Sequence, residues 1–290
     1  MKIYNIGSAN VDYVYQVPHF VRPGETLSAS SMQVFPGGKG LNQSVALGKA
    51  GADVVHCSLV GESDGWLIDM LRDAKVDTTY TEAISGPSGH AIIQVDEKGQ
   101  NCILLFAGAN HCFTAERFEK VLENAQAGDI LLVQNEINGL KELFEIAHGK
   151  KMQIALNPSP FAQNLLELPL EYVTYWILNE TEGKGFTGKE NFADILDALY
   201  ANYPDSNVIL TAGKDGAYFR NAREQLFVPA KTVKAVDTTA AGDTFTGYFL
   251  AMIAKGSSVE NAMQTATKAS AITVSRKGAA VSIPWADEVL

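Results

Sequence analysis

The chain has 290 residues, of which 46% are hydrophobic and 19% charged, with 25 glycines, 10 prolines and 3 cysteines. This composition excludes a collagen-like chain, low-complexity disorder and a disulfide-stapled scaffold, and the length suffices to bury a large core without metal or disulfide support. With 23 basic and 33 acidic residues the net charge is −10, and no basic run marks a nucleic-acid or anionic-membrane surface.

Cys57, Cys102 and Cys112 form no C-x-x-C pair and the five histidines lie far apart, which argues against a structural zinc site. The start, Met1–Gly7, turns polar at Ser8 and no apolar run reaches membrane-spanning length. The expected compartment is therefore a reducing cytoplasm.

In chain order, Ile3–Gly7 reads as the first strand, with Asn10 and Asp12 just beyond it. The carboxyl end of a strand is where open α/β sheets take ligands, and a carboxylate beside an amide suits vicinal hydroxyls. Tyr13–Val17 and the stretch near Ser28–Phe35 read as antiparallel strands, as do His90–Val95 and Cys102–Phe106 in a hairpin across Asp96–Gly99. Between them, Gly37-Gly38-Lys39-Gly40-Leu41-Asn42-Gln43 opens a helix. Its glycines let backbone approach a ligand, with Lys39 and Asn42 as donors. Further short strands follow at Val54–Val60, Asp129–Gln134, Gln153–Asn157, Thr174–Leu178 and Val208–Thr211. Their alternation with helical patterns predicts an α/β fold with a mostly parallel sheet covered on both faces. No linker or repeat divides residues 1–290, so one main domain is expected, carrying a small β-sheet lid formed by segments at about 11–35 and 88–107. Gly242–Lys255 and Val259–Ser275 read as two adjacent buried helices.

Two glycine motifs are set aside. Gly183-Lys184-Gly185-Phe186-Thr187-Gly188 spells G-x-G-x-x-G, but Asn179–Glu182 intervenes after the strand and sets two carboxylates where a pyrophosphate would sit. Gly37–Gly40 lacks the spacing and hydroxyl of a Walker A loop. The strongest signal is Asp237-Thr238-Thr239-Ala240-Ala241-Gly242-Asp243-Thr244-Phe245, where small residues lead straight into an apolar helix. Free N–H groups at such a helix start receive an anion, and a carboxylate beside them can take a proton from an attacking hydroxyl. The competing reading makes Asp243 a plain helix cap. Asn179 and Glu182 likewise fit an Asn-x-x-Glu capping box as well as a ligand site.

These segments, with Gly7–Asp12, Pro23-Gly24-Glu25-Thr26, Ala107-Gly108-Ala109-Asn110, Asn157-Pro158 and Arg276–Ala279 in the same order, resemble the ribokinase family of sugar kinases, of the phosphofructokinase B type, from Ile3 to Trp285. The resemblance implies a three-layer αβα sandwich with a β lid, ATP as phosphoryl donor, Mg²⁺, and a monovalent cation, usually K⁺. It makes Asp243 the catalytic base and Ala240, Ala241 and Gly242 the anion hole. Sugar contacts would fall to Asn10, Asp12, Gly38, Lys39, Asn42 and Glu136, and nucleotide contacts to Asn179, Thr211, Gly213, Gly216 and Gly242. Glu182 would act on Mg²⁺ through water. Asp237, Thr239, Thr273, Arg276, Gly278 and Ser282 would form the cation loop. The reaction so implied is phosphorylation of a pentose at its primary hydroxyl, D-ribose giving ribose 5-phosphate. The alternatives are another pentose, a ketohexose or a nucleoside as acceptor, and an inactive sugar-binding regulator. Pro36, Leu41, Ala212 and Thr273 depart from the family pattern. A homodimer through the lid, where Val14, Val17, Ile92 and Ile93 are apolar, is the expected assembly.

Overall fold

A computed structural model describes all 290 residues. The strands are β1 (Ile3–Ile6), β2 (Asn10–Gln16), β3 (Ser31–Gly37), β4 (Val54–Cys57), β5 (Leu59–Gly61), β6 (Glu82–Ile84), β7 (Gly89–Val95), β8 (Asn101–Phe106), β9 (Ile130–Gln134), β10 (Gln153–Asn157), β11 (Val173–Asn179), β12 (Asn207–Thr211), β13 (Gly216–Arg220) and β14 (Gln225–Pro229). The helices are α1 (Lys39–Lys49), α2 (Trp66–Asp73), α3 (Ala115–Val121), α4 (Leu140–Gly149), α5 (Glu180–Thr187), α6 (Phe192–Asn202), α7 (Ala241–Ala254), α8 (Val259–Val274) and α9 (Ala286–Val289).

The main sheet has eight strands in the order β14-β13-β12-β11-β10-β9-β1-β4. Its six strands from β12 to β4 pair in parallel. Their continuous apolar runs suit strands that lie under helices on both sides. Alternate residues divide accordingly. Ile3, Leu132, Ala155, Ile177 and Ile209 pack with α1, α2, α7 and α8, whereas Tyr4, Leu131, Ile154, Trp176 and Leu210 pack with α3, α4 and α6. The two cores hold 35 and 31 buried residues, so neither face of the sheet is left to solvent. This is the α/β sandwich expected from the alternation, and α7 and α8 are neighbours in it.

A separate four-stranded sheet, β3-β2-β7-β8, stands on the segments expected to form a lid. β2 pairs antiparallel with β3, and β7 with β8. The two hairpin-like halves join through a parallel β2–β7 ladder, so this sheet is mixed rather than wholly antiparallel. The two halves come from different crossovers of the main sheet, so no tight turn obliges β2 and β7 to run antiparallel.

Two other expectations are corrected. Val54–Val60 is not one strand. The main-sheet ladder ends at Cys57, whose carbonyl accepts from the Gly7 N–H (3.1 Å), and after Ser58 the chain turns into β5, which pairs with β6 in a separate two-stranded sheet. The antiparallel pair β13–β14 extends the main sheet beyond β12 and was not anticipated. Its mixture of buried and exposed positions gives a weak hydrophobic signal. Gly183 and Gly185 lie inside α5, which confirms that their motif is not a phosphate loop. No helix is long and apolar enough to cross a membrane.

Candidate functional site

The site is assembled around the start of α7. Ala240, the residue before the helix, adopts a left-handed conformation (φ 61°) and no side chain caps the helix. Asp243 is therefore not a cap. Its carboxylate, 8% exposed, accepts from Asn42 Nδ2 at 3.0 Å and from Gln43 Nε2 at 2.9 Å. The Ala241 N–H makes one long bond to the Thr238 carbonyl (3.3 Å), and the N–H groups of Gly242 and Asp243 have no partner. Unpaired amides at a helix start, beside a fixed carboxylate, form a ready anion site.

On one side of Asp243 lie the residues expected to hold a sugar. Gly40 brings α1 against the β1–β2 turn so closely that a Cβ there would sit 2.4 Å from the Ser8 nitrogen. This contact sets Lys39 and Asn42 beside the residues that follow β1. Glu136, just beyond β9, accepts from the Lys39 N–H (2.9 Å) and from the Ser8 hydroxyl. The Asp12 carboxylate lies over Gly37, where a Cβ would collide with it. Asn10 Oδ1 accepts from Asn110 Nδ2 at 2.7 Å. Asn10, Asp12, Gly38, Lys39, Asn42, Glu136 and Asp243 thus converge as expected, from five separate elements and loops.

The electrostatics of this group are coupled. Burial and the neighbouring Glu136 push the Asp12 carboxyl up to about 6. Glu136 is also raised, by burial and by Asp243, against the opposing pull of Lys39 and Ser8. For the Lys39 ammonium, burial alone would lower the pKa, but Asp243, Glu136 and Glu182 outweigh it and hold the value above normal. Lys39 is therefore a cation set among three carboxylates, able to face phosphate when one enters.

On the other side two cavities meet. One, of about 230 Å³, is bordered by Thr211, Gly213, Gly216, Phe245 and Thr267. The other, of about 220 Å³, is bordered by Lys39, Asn179, Glu182 and Asp243. Thr211, Thr238, Ala241 and Gly242 border both, making one trough that runs from the β12–β13 turn to the Asp243 carboxylate. All five residues expected on the nucleotide side line this trough. Asn179 and Glu182 do form the capping box of α5, with Asn179 Oδ1 accepting from the Glu182 N–H (3.0 Å) and Glu182 Oε2 from the Asn179 N–H (2.9 Å). Glu182 also borders the cavity, so its role in the capping box does not remove it from reach of a ligand.

The expected cation residues also gather. Asp237 Oδ1 accepts from the Thr239 N–H (2.9 Å) and hydroxyl (2.7 Å), and Oδ2 accepts from the Gly278 N–H (3.0 Å). Burial opposes ionisation of Asp237, but these bonds prevail and hold its carboxyl below the usual range. The Thr273 carbonyl accepts from the Arg276 N–H (3.0 Å), and the Ser282 hydroxyl donates to the Ala279 carbonyl (2.7 Å). The Arg276 guanidinium turns away to Glu288, leaving only its backbone for a cation. No group of three or more His, Cys, Asp or Glu side chains is arranged around a common metal position.

Sequence reasoning missed Ser8, Gln43, Asn110 and Asn157 as members of the site. Asn157 Oδ1 accepts from Gln43 Nε2 at 3.0 Å. All four stood in segments already singled out, Ser8 in Gly7–Asp12, Gln43 in Gly37–Gln43, Asn110 in Ala107–Asn110 and Asn157 in Asn157-Pro158, but nothing local separates a site amide from its polar neighbours.

The pfkB family carbohydrate kinase model matches residues 2–286. The chain is 36% identical to the ribokinase of Haemophilus influenzae over 299 aligned positions, covering 98% of this chain and 96% of that one. Its fold is similar to the crystal structure of ribokinase from Thermotoga maritima, with a TM-score of 0.88, 37% identity and coverage of 99% and 97%. It is also similar to the Arabidopsis thaliana ribokinase complexed with ribose and ATP, with a TM-score of 0.87, 26% identity and coverage of 99% and 96%. Matched by that family model over residues 2–286 and by a relative 36% identical over nearly its whole length, the chain belongs to the pfkB family of carbohydrate kinases.

Proposed function

We propose that the protein transfers the γ-phosphoryl group of ATP to the primary hydroxyl of D-ribose, giving ribose 5-phosphate and ADP. The observation that carries this reading is the buried Asp243 carboxylate, fixed by two amides at the unpaired start of α7, where the trough meets the sugar-side residues. Asn10 and Asp12 bind ring hydroxyls, and Lys39, Asn42 and Glu136 complete the sugar contacts. Asp243 takes the proton of the 5-hydroxyl as that oxygen attacks the γ-phosphorus and the bond to the β-phosphate oxygen breaks. The open start of α7, from Ala240 and Ala241 to the unpaired N–H groups of Gly242 and Asp243, absorbs charge on the migrating group. Thr211, Gly213, Gly216 and Asn179 hold the nucleotide.

Glu182 and Asp243 are too few to cage a divalent ion but suit Mg²⁺ that keeps its waters and leans on ATP phosphates. Glu182 would hold such an ion through water, where it would supply neutralisation of phosphate charge. The oxygens around Asp237, Thr239, Thr273, Arg276, Gly278 and Ser282 suit a monovalent cation such as K⁺ outside both substrate positions. The chain acts as one α/β unit of residues 1–290 in a reducing cytoplasm, with the β3-β2-β7-β8 sheet as lid. Of the apolar positions expected to pair, Val17 is buried and Ile92 exposed; Ile103, Leu104, Leu105 and Phe106, each more than half exposed, add an edge that a second copy of this chain covers.

ADP release measured over ribose, 2-deoxyribose, other pentoses, ketohexoses and nucleosides, with and without K⁺, tests the assignment. Ribose should give the highest kcat/KM. A higher value for any other acceptor reassigns the substrate, and no transfer to any acceptor leaves a sugar-binding regulator.

A further inference from the structure

Beneath Asp243 runs a chain of buried side-chain amides whose directions are set by the backbone. Asn5 Nδ2 donates to the Gly40 carbonyl (2.8 Å) and to Ser44 Oγ (2.8 Å). A carbonyl can only accept, so the Asn5 oxygen must face the other way. There it accepts from Gln134 Nε2 at 3.0 Å. The same Gln134 nitrogen donates to Gln43 Oε1 at 2.7 Å, which turns Gln43 Nε2 towards Asp243 Oδ1. A second anchor agrees. Asn157 Nδ2 donates to the Ile177 carbonyl (2.7 Å), presenting the Asn157 oxygen to the same Gln43 nitrogen. No member of this chain can flip without setting donor against donor or oxygen against oxygen.

The arrangement is expensive as packing alone. Gln134 is fully buried, yet its Oε1 has no hydrogen-bond partner and lies against Gly7. A buried amide with an unpaired oxygen destabilises a fold relative to an apolar side chain of the same shape. What the amide supplies that such a side chain would not is a defined direction for the Gln43 N–H.

We propose that Gln134 and Gln43 form an amide relay that fixes the rotational setting of the Asp243 carboxylate, with Gln134 a positioning residue that never touches substrate. With Oδ1 held by Gln43 and Oδ2 by Asn42, the carboxylate plane cannot turn, and the face offered to the sugar hydroxyl is constant. This deepens the reading of Asp243 as the base and rests on it.

Steady-state kinetics of Gln43→Met, Gln134→Met, the double variant and Asp243→Asn, each checked for folding by thermal melting, test the relay. Gln43→Met should lower kcat by about 10- to 100-fold and Gln134→Met by about 3- to 30-fold, magnitudes ordinary for loss of alignment at a reacting group. The KM for ribose should stay within about threefold. The double variant should be no slower than Gln43→Met within about twofold, because one route has been cut twice. Losses that multiply, or that fall on KM, overturn the relay. If Gln134→Met fails to fold, Gln43→Met alone decides through the same split between kcat and KM. Near-normal turnover of Asp243→Asn would instead remove the base assignment, whereas an inactive Asp243→Asn beside fully active glutamine variants removes only the relay.

Discussion

If Asp12 binds the sugar, its raised pKa makes binding a proton-linked event whose size follows from the site. In the free protein, burial and Glu136 hold this carboxyl at about 6. A sugar hydroxyl donating to the carboxylate favours the charged form and lowers that value in the complex. If it returns to about 4, the ordinary carboxylate range, ribose binding expels about 0.8 proton at pH 5, about 0.5 at pH 6 and about 0.1 at pH 7. Apparent ribose affinity should fall about tenfold from pH 7 to pH 5, as the ionised fraction of Asp12 drops from about nine-tenths to one-tenth. Calorimetric titration with ribose in two buffers of different ionisation enthalpy measures the expelled proton directly at each pH. Asp12→Asn should bind ribose more weakly and lose this component. Proton release that is absent between pH 5 and 7, or unchanged in Asp12→Asn, refutes the reasoning. The sign for stability is opposite to that of a salt-bridged aspartate. Folded Asp12 keeps its proton at a pH where the unfolded chain, near 3.8, has lost it, so the Asp12 contribution declines as pH rises from about 4 to 6.

Asp243→Asn should reduce kcat by roughly 10²–10⁴-fold while ribose affinity, measured by the same titration, survives. Gly242 borders both cavities and has open space where a Cβ would lie. Gly242→Val should therefore fold, but raise the KM for ATP by at least about tenfold with ribose binding unaltered, a steric loss of some 1.4 kcal/mol or more; an unchanged KM would show that nucleotide lies elsewhere. Asp237→Asn should erase any K⁺ stimulation of turnover, and a variant stimulated as strongly as the parent protein would move the cation site away from this loop. Leu104, 67% exposed on the lid, should report assembly: Leu104→Glu should shift sedimentation from dimer to monomer, and an unaltered species would leave the lid out of the interface.

Local signals carried much of the fold. The runs at Ile130–Gln134, Gln153–Asn157 and Asn207–Thr211 are legible as buried strands because each is apolar on both faces and short. The breaks at Cys57 and the edge pair β13–β14 were not legible, since both depend on which neighbour a strand finds. A residue such as Ser58 carries no mark that the chain leaves one sheet there for another.

Local order along the chain sets the chemistry on offer: small residues ahead of Asp243, glycines around Lys39, and amides and carboxylates after the first strand. Their spacing along the chain restricts backbone conformation and helix starts, which are local properties. Tertiary structure alone decided that Gln43 lies between Asp243 and Gln134, 200 and 91 positions away, and that Asp12 shares buried space with Glu136. Hydrogen-bond direction and pKa depend on what surrounds a group in space, and crossovers of a parallel sheet bring together residues that no local pattern relates.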